Sequence, residues 1–458
     1  MKPPIEPFKI KVVEPLKFCS QEERENLLYK AGFNLFKIPA EAVFIDLLTD
    51  SGTSAMSDRQ WAGLMLGDES YAGSRNYFHL KDVVEDLFGF PYVLPTHQGR
   101  AAENIFFNTV LKNGDVVPNN IHFDTTRANV EFLNCEALDC VIDEGMNPKN
   151  EHPFKGNMDP VKLENAIQKY GVEKIPVVML TITNNSGGGQ PVSLRNIKEI
   201  HSICRKYDIP LFIDAARFAE NAYFIKMREE GYQNFSVKDI VKEMFSCVDG
   251  CLFSAKKDGL VNIGGFIALR DEELFLKLQN LLILREGFIT YGGLAGRDLE
   301  AISRGLEEVI QEEYLHYRIQ QTAYLGSLIE EIGIPIVKPV GGHAVYIDAK
   351  DFLPHIPQSQ FPAQALCIGL YRNSGIRTSE IGSLMFAREN KEKGQWIYPE
   401  LELVRLTVPR RVYTTSHLVY VADALFRIKK NKENLKGLRL VYGSPFLRHF
   451  TAKLEEIT

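Results

Sequence analysis

Two apolar segments of the sequence end at residues that could carry chemistry. IPLFID ends in the acid Asp214, and the run GCLFSA is followed directly by Lys256 and Lys257. At the ends of neighbouring strands, an acid and an amine could face one cleft, where the acid could hold a proton and the amine could attack a carbonyl group. Taken singly, each has a plainer explanation, since Asp214 could cap a following helix and paired lysines usually face solvent.

Two polar turns that contain glycine add to this pair. THQGR at 96–100 precedes the helical pattern AAENIFFNTVL, so its N–H groups could bind a phosphate at the helix N-terminus. NNSGGGQP at 184–191 is a second such loop, directly after an apolar segment. Pyridoxal phosphate requires a lysine, a carboxylate for its ring nitrogen, a flat group over the ring and donors for its phosphate. Each turn alone is a weak signal, but the combination predicts a pyridoxal phosphate site.

The segments that must position these groups alternate between strand and helix. Short apolar runs bounded by Gly, Pro or polar residues predict strands buried on both faces, at 175–183, 209–214, 250–255 and 262–269. Between the first two, apolar residues recur at helical spacing behind Ser193, which can cap the helix. This order predicts a mainly parallel sheet, and ligands of such sheets bind at the carboxyl ends of the strands.

The order of these patterns predicts an α/β protein of two domains. Its length of 458 residues exceeds what one small core can use. Residues 1–18 contain four prolines and predict an N-terminal arm, and 19–56 are expected to form a linker and part of the small domain. The large domain, with a mainly parallel central sheet, is expected at 57–310. A long amphipathic helical pattern at 298–332 leads into a smaller α+β domain at 311–458.

Composition and charge limit the functions that the chain can have. Charged residues make up 24% and hydrophobic residues 45% of the sequence, which is typical of a globular protein. The net charge of −6 offers no basic surface for nucleic acid or anionic membranes, and no apolar run approaches the ~20 residues of a membrane span. Seven cysteines at irregular spacings predict free thiols in a reducing cytosol, and the N-terminal segment lacks the apolar core of a signal peptide. We therefore expect a cytoplasmic protein that acts on a small molecule.

Motifs along nearly the whole chain resemble those of the β-eliminating lyases. They run from about residue 4 to the C-terminus and include IDLLTDSGT, GDESYAGSRNYFHL, PTHQGR, FDTTR, GGGQPVS, ARFAENAYFIK, SAKKDG, YGGLAGRDLE, PVGGHAV, FPAQAL and VRLTVPRR. The resemblance implies the pyridoxal phosphate-dependent transferase fold type I, which is the fold of aspartate aminotransferase. It also implies a homotetramer built as a dimer of dimers and activation by a monovalent cation, usually K⁺.

The resemblance assigns the cofactor contacts to particular residues. Lys257 would bond covalently to the cofactor, Asp214 would pair with its ring nitrogen and Phe123 would stack on the ring. Arg217 and Asn185 would contact the ring oxygen, and Asn185 would also lie near the substrate. The residues that would bind the phosphate are Gln98, Gly99, Arg100, Ser254 and Lys256. If the strand runs on through the lysines, its pleat places Ser254 and Lys256 on one face and Lys257 on the other.

The resemblance also implies contacts to an amino-acid substrate. Arg405 would bind the α-carboxylate through its guanidinium fork, with Thr49 and Ser51 nearby. The local pattern agrees with this role, because alternate residues of LVRLTV predict an apolar strand face and Arg405 lies on the opposite face.

A cation site and a general acid follow from the same resemblance. The cation would be held by Gly52, Glu69 and Asn262, with a carboxylate from Glu69 and main-chain oxygens from the other two, and hard oxygen ligands suit such an ion. Tyr71 would act as a general acid. Tyr71 and Tyr291 would reach the site from a neighbouring subunit, so that activity would require a dimer.

Members of the family release either indole from L-tryptophan or phenol from L-tyrosine, and three positions bear on the choice. A phenol oxygen is best met by a cationic donor, whereas an indole N–H needs an acceptor. Phenol-releasing members use an arginine where this chain has Ile381. Indole-releasing members pair an aspartate after the stacking aromatic with a C-terminal histidine, and Asp124 and His449 match those residues. The sequence therefore favours L-tryptophan, with Asp124 and His449 stabilising the positive charge that develops on the indole nitrogen.

Three alternatives stay open on the sequence alone. The nearest is release of phenol from L-tyrosine, and the second is an aminotransferase of the same fold. The third is a non-catalytic cofactor-binding protein that acts as a regulator or scaffold. Ala101 and Arg127 occupy positions for which the sequence suggests no role.

Overall fold

A computed structural model describes residues 1–390 and 394–457, which fold into two compact units. The large unit comprises Ser51–Gly145 and His152–His316, and the small unit comprises Met1–Asp50, Met146–Glu151 and Tyr317–Thr458. The large unit extends a few residues beyond 57–310 at both ends. The segment Met146–Glu151 belongs to the small unit, a detail that no sequence pattern indicates.

Helices and strands alternate along most of the chain. The α-helices are α1 (Gln21–Lys30), α2 (Asp58–Leu64), α3 (Arg75–Phe88), α4 (Gly99–Val110), α5 (Asp124–Phe132), α6 (Pro160–Tyr170), α7 (Leu194–Lys206), α8 (Phe218–Arg228), α9 (Val237–Ser246), α10 (Glu272–Arg285), α11 (Gly296–Val309), α12 (Glu312–Glu331), α13 (Ala349–Phe352), α14 (Pro362–Ser374), α15 (Ser383–Phe386), α16 (Thr415–Lys430) and α17 (Arg448–Thr451). The strands are β1 (Ile45–Asp46), β2 (Tyr92–Thr96), β3 (Val116–Asn119), β4 (Glu136–Asp139), β5 (Val178–Thr181), β6 (Leu211–Asp214), β7 (Gly250–Ser254), β8 (Gly265–Leu269), β9 (Ala344–Asp348), β10 (Ile376–Arg377), β11 (Ser379–Ile381), β12 (Arg388–Asn390), β13 (Gln395–Ile397), β14 (Leu403–Thr407), β15 (Leu438–Tyr442) and β16 (Lys453–Glu456).

A five-stranded sheet with the order β2-β8-β7-β6-β5 forms the centre of the large unit. β5, β6 and β7 pair in parallel, whereas β8 runs antiparallel to both β2 and β7. All strands except β8 therefore point in one direction, which agrees with the predicted mainly parallel sheet. The sequence predicts β8 as a strand but not its direction, because direction depends on the connection and not on the composition of the strand.

The crossover from β5 to β6 illustrates why this unit folds as the sequence predicts. α7 begins where Ser193 Oγ accepts the Asn196 N–H at 3.1 Å, and Ile197 and Ile200 on its apolar face are fully buried. The adjoining strand is buried as well, with Leu211 of β6 inaccessible to solvent. Helix and strands thus bury matching apolar surfaces, and this burial is the main source of stability in such a unit.

A three-stranded antiparallel sheet with the order β11-β14-β9 lies in the small unit. Val404 and Leu406 of β14 point into the apolar core of this unit, whereas Arg405 faces Ser379 of β11 on the other side. The predicted two-faced pattern of this strand is therefore confirmed. α14 is buried along almost its whole length and packs against β10, β11 and β14, so the unit has the predicted α+β character.

The long amphipathic helix predicted at 298–332 is interrupted. α11 ends at Val309 and α12 begins at Glu312, and the Gln311 N–H donates to the Glu308 carbonyl at 3.1 Å. Such a three-residue bond tightens the last turn of a helix and ends it. The interruption escapes prediction because no Gly or Pro marks it in the sequence.

All seven cysteines are free thiols, and six of them are buried. Burial raises the pKa of Cys140 and Cys204 to about 12, so these thiols stay protonated and unreactive. Across the described part of the chain, no helix combines the length and the apolar character that crossing a membrane demands.

Candidate active site

A pocket in the large unit opens at the carboxyl ends of β5, β6 and β7. It holds about 670 Å³ of empty space, part of which is open to solvent. Thr181, Asp214 and Ser254 are the last residues of the three strands and line the pocket, as expected for a ligand site of a parallel sheet. The predicted site residues that line it are Ser51, Gln98, Gly99, Arg100, Phe123, Asn185, Asp214, Arg217, Ser254, Lys256 and Lys257.

Lys257 lies in the turn that follows β7, and its amine points back to the end of the strand. Lys257 Nζ donates a hydrogen bond to Ser254 Oγ at 2.9 Å. The prediction that Ser254 and Lys256 share one strand face opposite Lys257 is therefore wrong. β7 ends at Ser254 and the backbone turns, so the alternation of a strand does not extend to the lysines. The turn brings both lysines to the same pocket.

The carboxyl group of Asp214 lies at the end of β6, surrounded by protein but reachable from the pocket. Burial raises the pKa of Asp214, and the positive charge of Lys257 opposes that shift. Asp214 Oδ1 accepts the Ala216 N–H at 3.2 Å. Because a nearby cation favours its ionised form, this acid is suited to pair with a protonated nitrogen of a ligand.

The helix that follows β6 is capped by a different acid. Asp258 is fully buried, and its Oδ2 accepts the Ala219 N–H at 2.9 Å at the start of α8. The plainer alternative for Asp214, a cap of this helix, is therefore not realised. The Asp258 N–H also donates to the Ala216 carbonyl at 3.2 Å, so Asp258 joins the segment of Lys257 to that of Asp214. The role of Asp258 was not predicted from the sequence, in which only its position directly after the lysine pair could have indicated it.

The N-terminus of α4 forms one wall of the pocket. α4 begins at Gly99, and the side chain of Gln98 makes no cap hydrogen bond to the helix. A Cβ at Gly99 would lie 2.5 Å from Ser254 Cβ, so only glycine allows this approach of α4 to β7. Burial and the Arg100 charge both lower the pKa of Lys256. Helix N–H groups, a guanidinium and an ammonium on one wall suit an anion such as phosphate.

Three other predicted residues line the pocket between these elements. Phe123 immediately precedes α5, Asn185 lies in the loop after β5, and Arg217 is buried at the start of α8. The hydroxyl of Thr183 is buried in the same lining and has no hydrogen-bond partner in the described chain. A buried hydroxyl without a partner indicates a place where a ligand group can bind.

A charged network holds the segment that carries Phe123. Arg127 Nη2 contacts Asp139 Oδ2 at 2.5 Å, and Asp139 Oδ1 accepts the His122 N–H at 2.9 Å and lies 2.7 Å from His122 Nδ1. The His122 carbonyl accepts a hydrogen bond from Ser186 Oγ at 3.0 Å. Arg127, for which the sequence suggests no role, therefore stabilises the backbone next to Phe123.

Glu103 lines the pocket, although the sequence analysis did not single it out. Its carboxylate accepts hydrogen bonds from the hydroxyls of Thr125, at 2.8 Å, and Thr126. Within AAENIFF, the helical periodicity alone does not show whether Glu103 is buried or exposed. The packing of α4 against α5 and the strand ends encloses it, and no local signal predicts those contacts.

Tyr71 and Asp124 belong to the large unit but are not part of the pocket lining. Tyr71 is 71% exposed, and its ring stacks on Phe288 and meets Tyr291 edge-on, with centroids 5.8 and 5.3 Å away. Asp124 is buried as the first residue of α5, and its Oδ1 accepts the Thr125 N–H at 2.6 Å.

Two of the three residues predicted to hold a cation contact each other. Asn262 Nδ2 donates to the Gly52 carbonyl at 2.9 Å, so these two residues are adjacent. Glu69 instead accepts the N–H groups of Gly296, at 2.8 Å, and Arg297, at 3.2 Å, at the start of α11. Glu69 thus stabilises a helix N-terminus in this chain.

Arg405 lies beside the predicted substrate residue Thr49 in the small unit. Arg405 Nε donates to Ser379 Oγ at 3.2 Å, and Nη2 donates to the Leu48 carbonyl at 3.1 Å. Both interactions orient the guanidinium, which is almost fully buried. A buried guanidinium at this place is suited to bind a carboxylate.

Ile381 and His449 also belong to the small unit. Ile381 is 2% exposed and packs in an apolar cluster with Tyr346 and Leu403. His449 is buried, and its ring meets that of Phe36 edge-on with centroids 5.8 Å apart. Position 381 therefore presents an aliphatic side chain and no charge.

The family described as β-eliminating lyase matches residues 46–424, which is most of the chain. The chain belongs to the β-eliminating lyase family. Similar β-eliminating lyases include a tryptophanase of Salinibacter ruber, 57% identical over 98% of this chain and 95% of the relative. A tyrosine phenol-lyase of Symbiobacterium sp. and a tryptophanase of Hyphomonas neptunium are 50% and 52% identical over the full length of both proteins.

A solved structure supports the fold of this β-eliminating lyase. The complex of SepCysS with the N-terminal domain of SepCysE contains a chain that aligns with a TM-score of 0.55 and 14% identity, over 86% of this chain and 96% of that chain. Together with the family match, it establishes the pyridoxal phosphate-dependent transferase fold type I that the sequence predicts.

Pyridoxal phosphate is the cofactor that family membership implies, and the pocket fits it. The amine of Lys257 and the carboxyl group of Asp214 lie at the ends of adjacent strands. At the wall formed by α4, the backbone of Gly99 is so close to β7 that no larger residue could replace this glycine. Lys257 would bond to the cofactor, Asp214 would pair with its ring nitrogen, and Phe123 would provide the flat group that covers the ring. The Thr183 hydroxyl, which has no hydrogen-bond partner among the described residues, offers a further polar contact.

Proposed function

We propose that this β-eliminating lyase converts L-tryptophan to indole, pyruvate and ammonia. Relatives named for indole and for phenol release both match the chain, so the choice rests on the residues at three positions. The observation that carries it is Ile381, which packs among apolar side chains and offers no cation to a phenol oxygen. Asp124 supplies the hydrogen-bond acceptor that an indole N–H needs, and His449 assists Asp124.

The chain's own residues divide the work of elimination. When bound, pyridoxal phosphate stabilises the negative charge that forms at the substrate Cα. Lys257 Nζ, oriented by Ser254 Oγ, removes the α-proton, and Arg405 holds the substrate by its α-carboxylate. Asp214 keeps a proton on the cofactor's ring nitrogen. Thr49 and Ser51 assist in binding the carboxylate.

The leaving group departs only after a ring carbon has been protonated. Asp124, with His449, stabilises the positive charge that develops on the indole nitrogen when C3 receives a proton. Tyr71 assists delivery of that proton. Because Tyr71 is exposed and lies outside the pocket of its own chain, we assign it to the site of a second copy. We also propose that the active form is a cytoplasmic homotetramer made of two dimers. K⁺ would bind at the adjacent Gly52 and Asn262, and Glu69 would have to give up a bond to the start of α11 to join them.

Replacement of Asp124 by Ala tests this assignment. Tryptophan cleavage requires a charge on the indole nitrogen, whereas S-methylcysteine loses a good leaving group without it. We expect Asp124→Ala to lower kcat/KM for L-tryptophan by about 100-fold or more, and for S-methylcysteine by far less. Both rates are measured as pyruvate release, without any keto-acid acceptor, so that transamination does not contribute.

Glu85→Ala serves as the control, because Glu85 is an exposed carboxylate on α3 of the same unit. It should leave both rates close to those of the unmodified enzyme. Equal losses on the two substrates in Asp124→Ala would remove the indole-contact role. Pyruvate release that depends on an added keto acid would favour an aminotransferase instead.

A further inference from the structure

A second carboxyl group faces the same pocket as Asp214 and Lys257. Glu103 lies on α4, one turn after Gly99, and only 7% of it is exposed. Charged groups this enclosed are rare in proteins unless they are paired or functional. None of the roles assigned above uses Glu103.

The hydrogen bonds of Glu103 join two elements of the site. Its two carboxylate oxygens accept from the hydroxyls of Thr125 and Thr126 in the first turn of α5. α5 begins directly after Phe123, and α4 begins at the anion-binding wall. Glu103 therefore links α4, the helix expected to hold the cofactor's phosphate, to the start of α5, directly after the residue expected to cover the cofactor ring.

The charges that face Glu103 come from three sides. Asp214 at the end of β6 disfavours its ionised form, and Lys257 after β7 favours it. α5 contributes the two threonine hydroxyls and starts with Asp124, and Arg100 lies one turn earlier on α4 itself. Burial, followed by the charge of Asp214, raises the pKa of Glu103 to about 7, and the threonine hydroxyls and Lys257 oppose the shift.

Two enclosed carboxyl groups in one pocket cannot ionise independently. We propose that Glu103 is a positioning residue for the cofactor: by gaining or losing a proton, it controls how strongly Asp214 holds the proton on the ring nitrogen. This inference rests on the proposed role of Asp214. Ionised Glu103 adds negative charge beside Asp214 and strengthens the hold on that proton, whereas neutral Glu103 weakens it.

The absorbance spectrum of the bound cofactor, recorded against pH without substrate, tests this inference. In the unmodified holoenzyme we expect a pH-dependent spectral transition in the neutral range, because burial and Asp214 raise the pKa of Glu103 to about 7 in the chain itself. Glu103→Gln cannot ionise and should abolish it. Thr126→Val removes a donor that stabilises the ionised form, and should move the midpoint up by about one pH unit, a tenfold change in the ionisation constant.

Thr126→Val also decides the question if Glu103→Gln does not fold. The control is Glu85→Gln on the exposed face of α3, which should leave the midpoint unchanged. A transition that keeps its midpoint in both Glu103→Gln and Thr126→Val, or no transition in the neutral range in the unmodified enzyme, would overturn the inference and leave the proposed lyase reaction intact. Failure of the chain to bind pyridoxal phosphate would overturn both.

Discussion

Glu380 directly precedes Ile381, the residue proposed to face the leaving group, and its carboxyl group is almost completely enclosed. It is 3% exposed, and neither carboxylate oxygen accepts a hydrogen bond of good geometry within the described chain. Burial and then the charge of Glu402 raise the pKa of Glu380 well above its usual range, and Arg448 opposes the shift only in part. Such a group is retained as the neutral acid, because an unsolvated carboxylate is costly.

Stability should therefore decline with rising pH because of Glu380. An acid whose pKa is raised by folding binds its proton more tightly in the folded state, so the free energy of unfolding falls as pH rises above about 4.5, the unfolded value, towards the folded pKa. Glu380→Gln does not titrate and should make this decline shallower, with a gain of about 1–3 kcal/mol at the alkaline end. Urea unfolding at several pH values measures the effect.

The exposed Glu400→Gln is the matched control and should leave the pH dependence unchanged. An identical decline in Glu380→Gln and in the unmodified enzyme would contradict the assignment of Glu380 as a buried neutral acid.

Functional residues at the ends of strands can be predicted from the sequence. Residues that become buried through contacts with distant segments cannot. Asp214 and the pair Lys256 and Lys257 stand at the ends of apolar runs and match a cofactor's requirements, so the sequence singles out both strand ends, and the resemblance selects Lys257. Glu103 and Asp258 escape prediction because their enclosure arises from contacts between segments far apart in sequence. Arg127 escapes because its partner Asp139 lies on β4.

The close approach of α4 to β7 is the contact between elements on which cofactor binding should depend most. Gly99→Ala would place a Cβ 2.5 Å from Ser254 Cβ and 3.0 Å from its Cα. Because backbone atoms cannot yield easily, α4 should move away from the strand end at a cost of about 1–3 kcal/mol. We expect the Kd for pyridoxal phosphate to rise by about tenfold or more while the protein stays folded.

Cofactor titration followed by absorbance measures that affinity, and circular dichroism checks the fold. Ala101→Ser, in the same helical turn, is the control and should bind the cofactor normally. Unchanged affinity in Gly99→Ala would show that the wall at α4 does not bind the cofactor's phosphate.

Elements with a strong apolar pattern could be predicted from the sequence, but the turns and breaks between them and the strand directions could not. β5, β6, β7 and α7 lie where apolar runs and helical periodicity place them. The run 250–255 locates the end of β7 to within one residue, but the turn that brings both lysines to the pocket has no signal in the residue types. The break after Val309 likewise has no signal in the residue types.

At the scale of the whole molecule, the site of one chain lacks the proposed general acid. Tyr71 is exposed, its ring packs against Phe288 and Tyr291, and it lies outside the pocket lining. Two copies related by a twofold axis could each supply Tyr71 to the other's pocket, since such interfaces are reciprocal. Activity would then depend on pairs of chains.

Mixing two inactive variants tests that arrangement. Lys257→Ala removes the amine and Tyr71→Phe removes the acid, so each variant alone should be nearly inactive. After exchange of subunits, a mixed pair contains one pocket with an intact Lys257 and an intact Tyr71 from the other chain. An equal mixture should regain about a quarter of the normal rate. Mixtures with no more activity than the separate variants would place Tyr71 in its own chain's site or outside the reaction.

The identity of the aromatic product tests the proposed reaction most directly. The purified chain is supplied with pyridoxal phosphate and K⁺, and L-tryptophan and L-tyrosine are offered in parallel without a keto acid. With Ile381, Asp124 and His449 in their proposed roles, indole and pyruvate should accumulate in equal amounts from L-tryptophan, with little phenol from L-tyrosine. Rapid release of phenol, with no indole from L-tryptophan, would contradict the proposal.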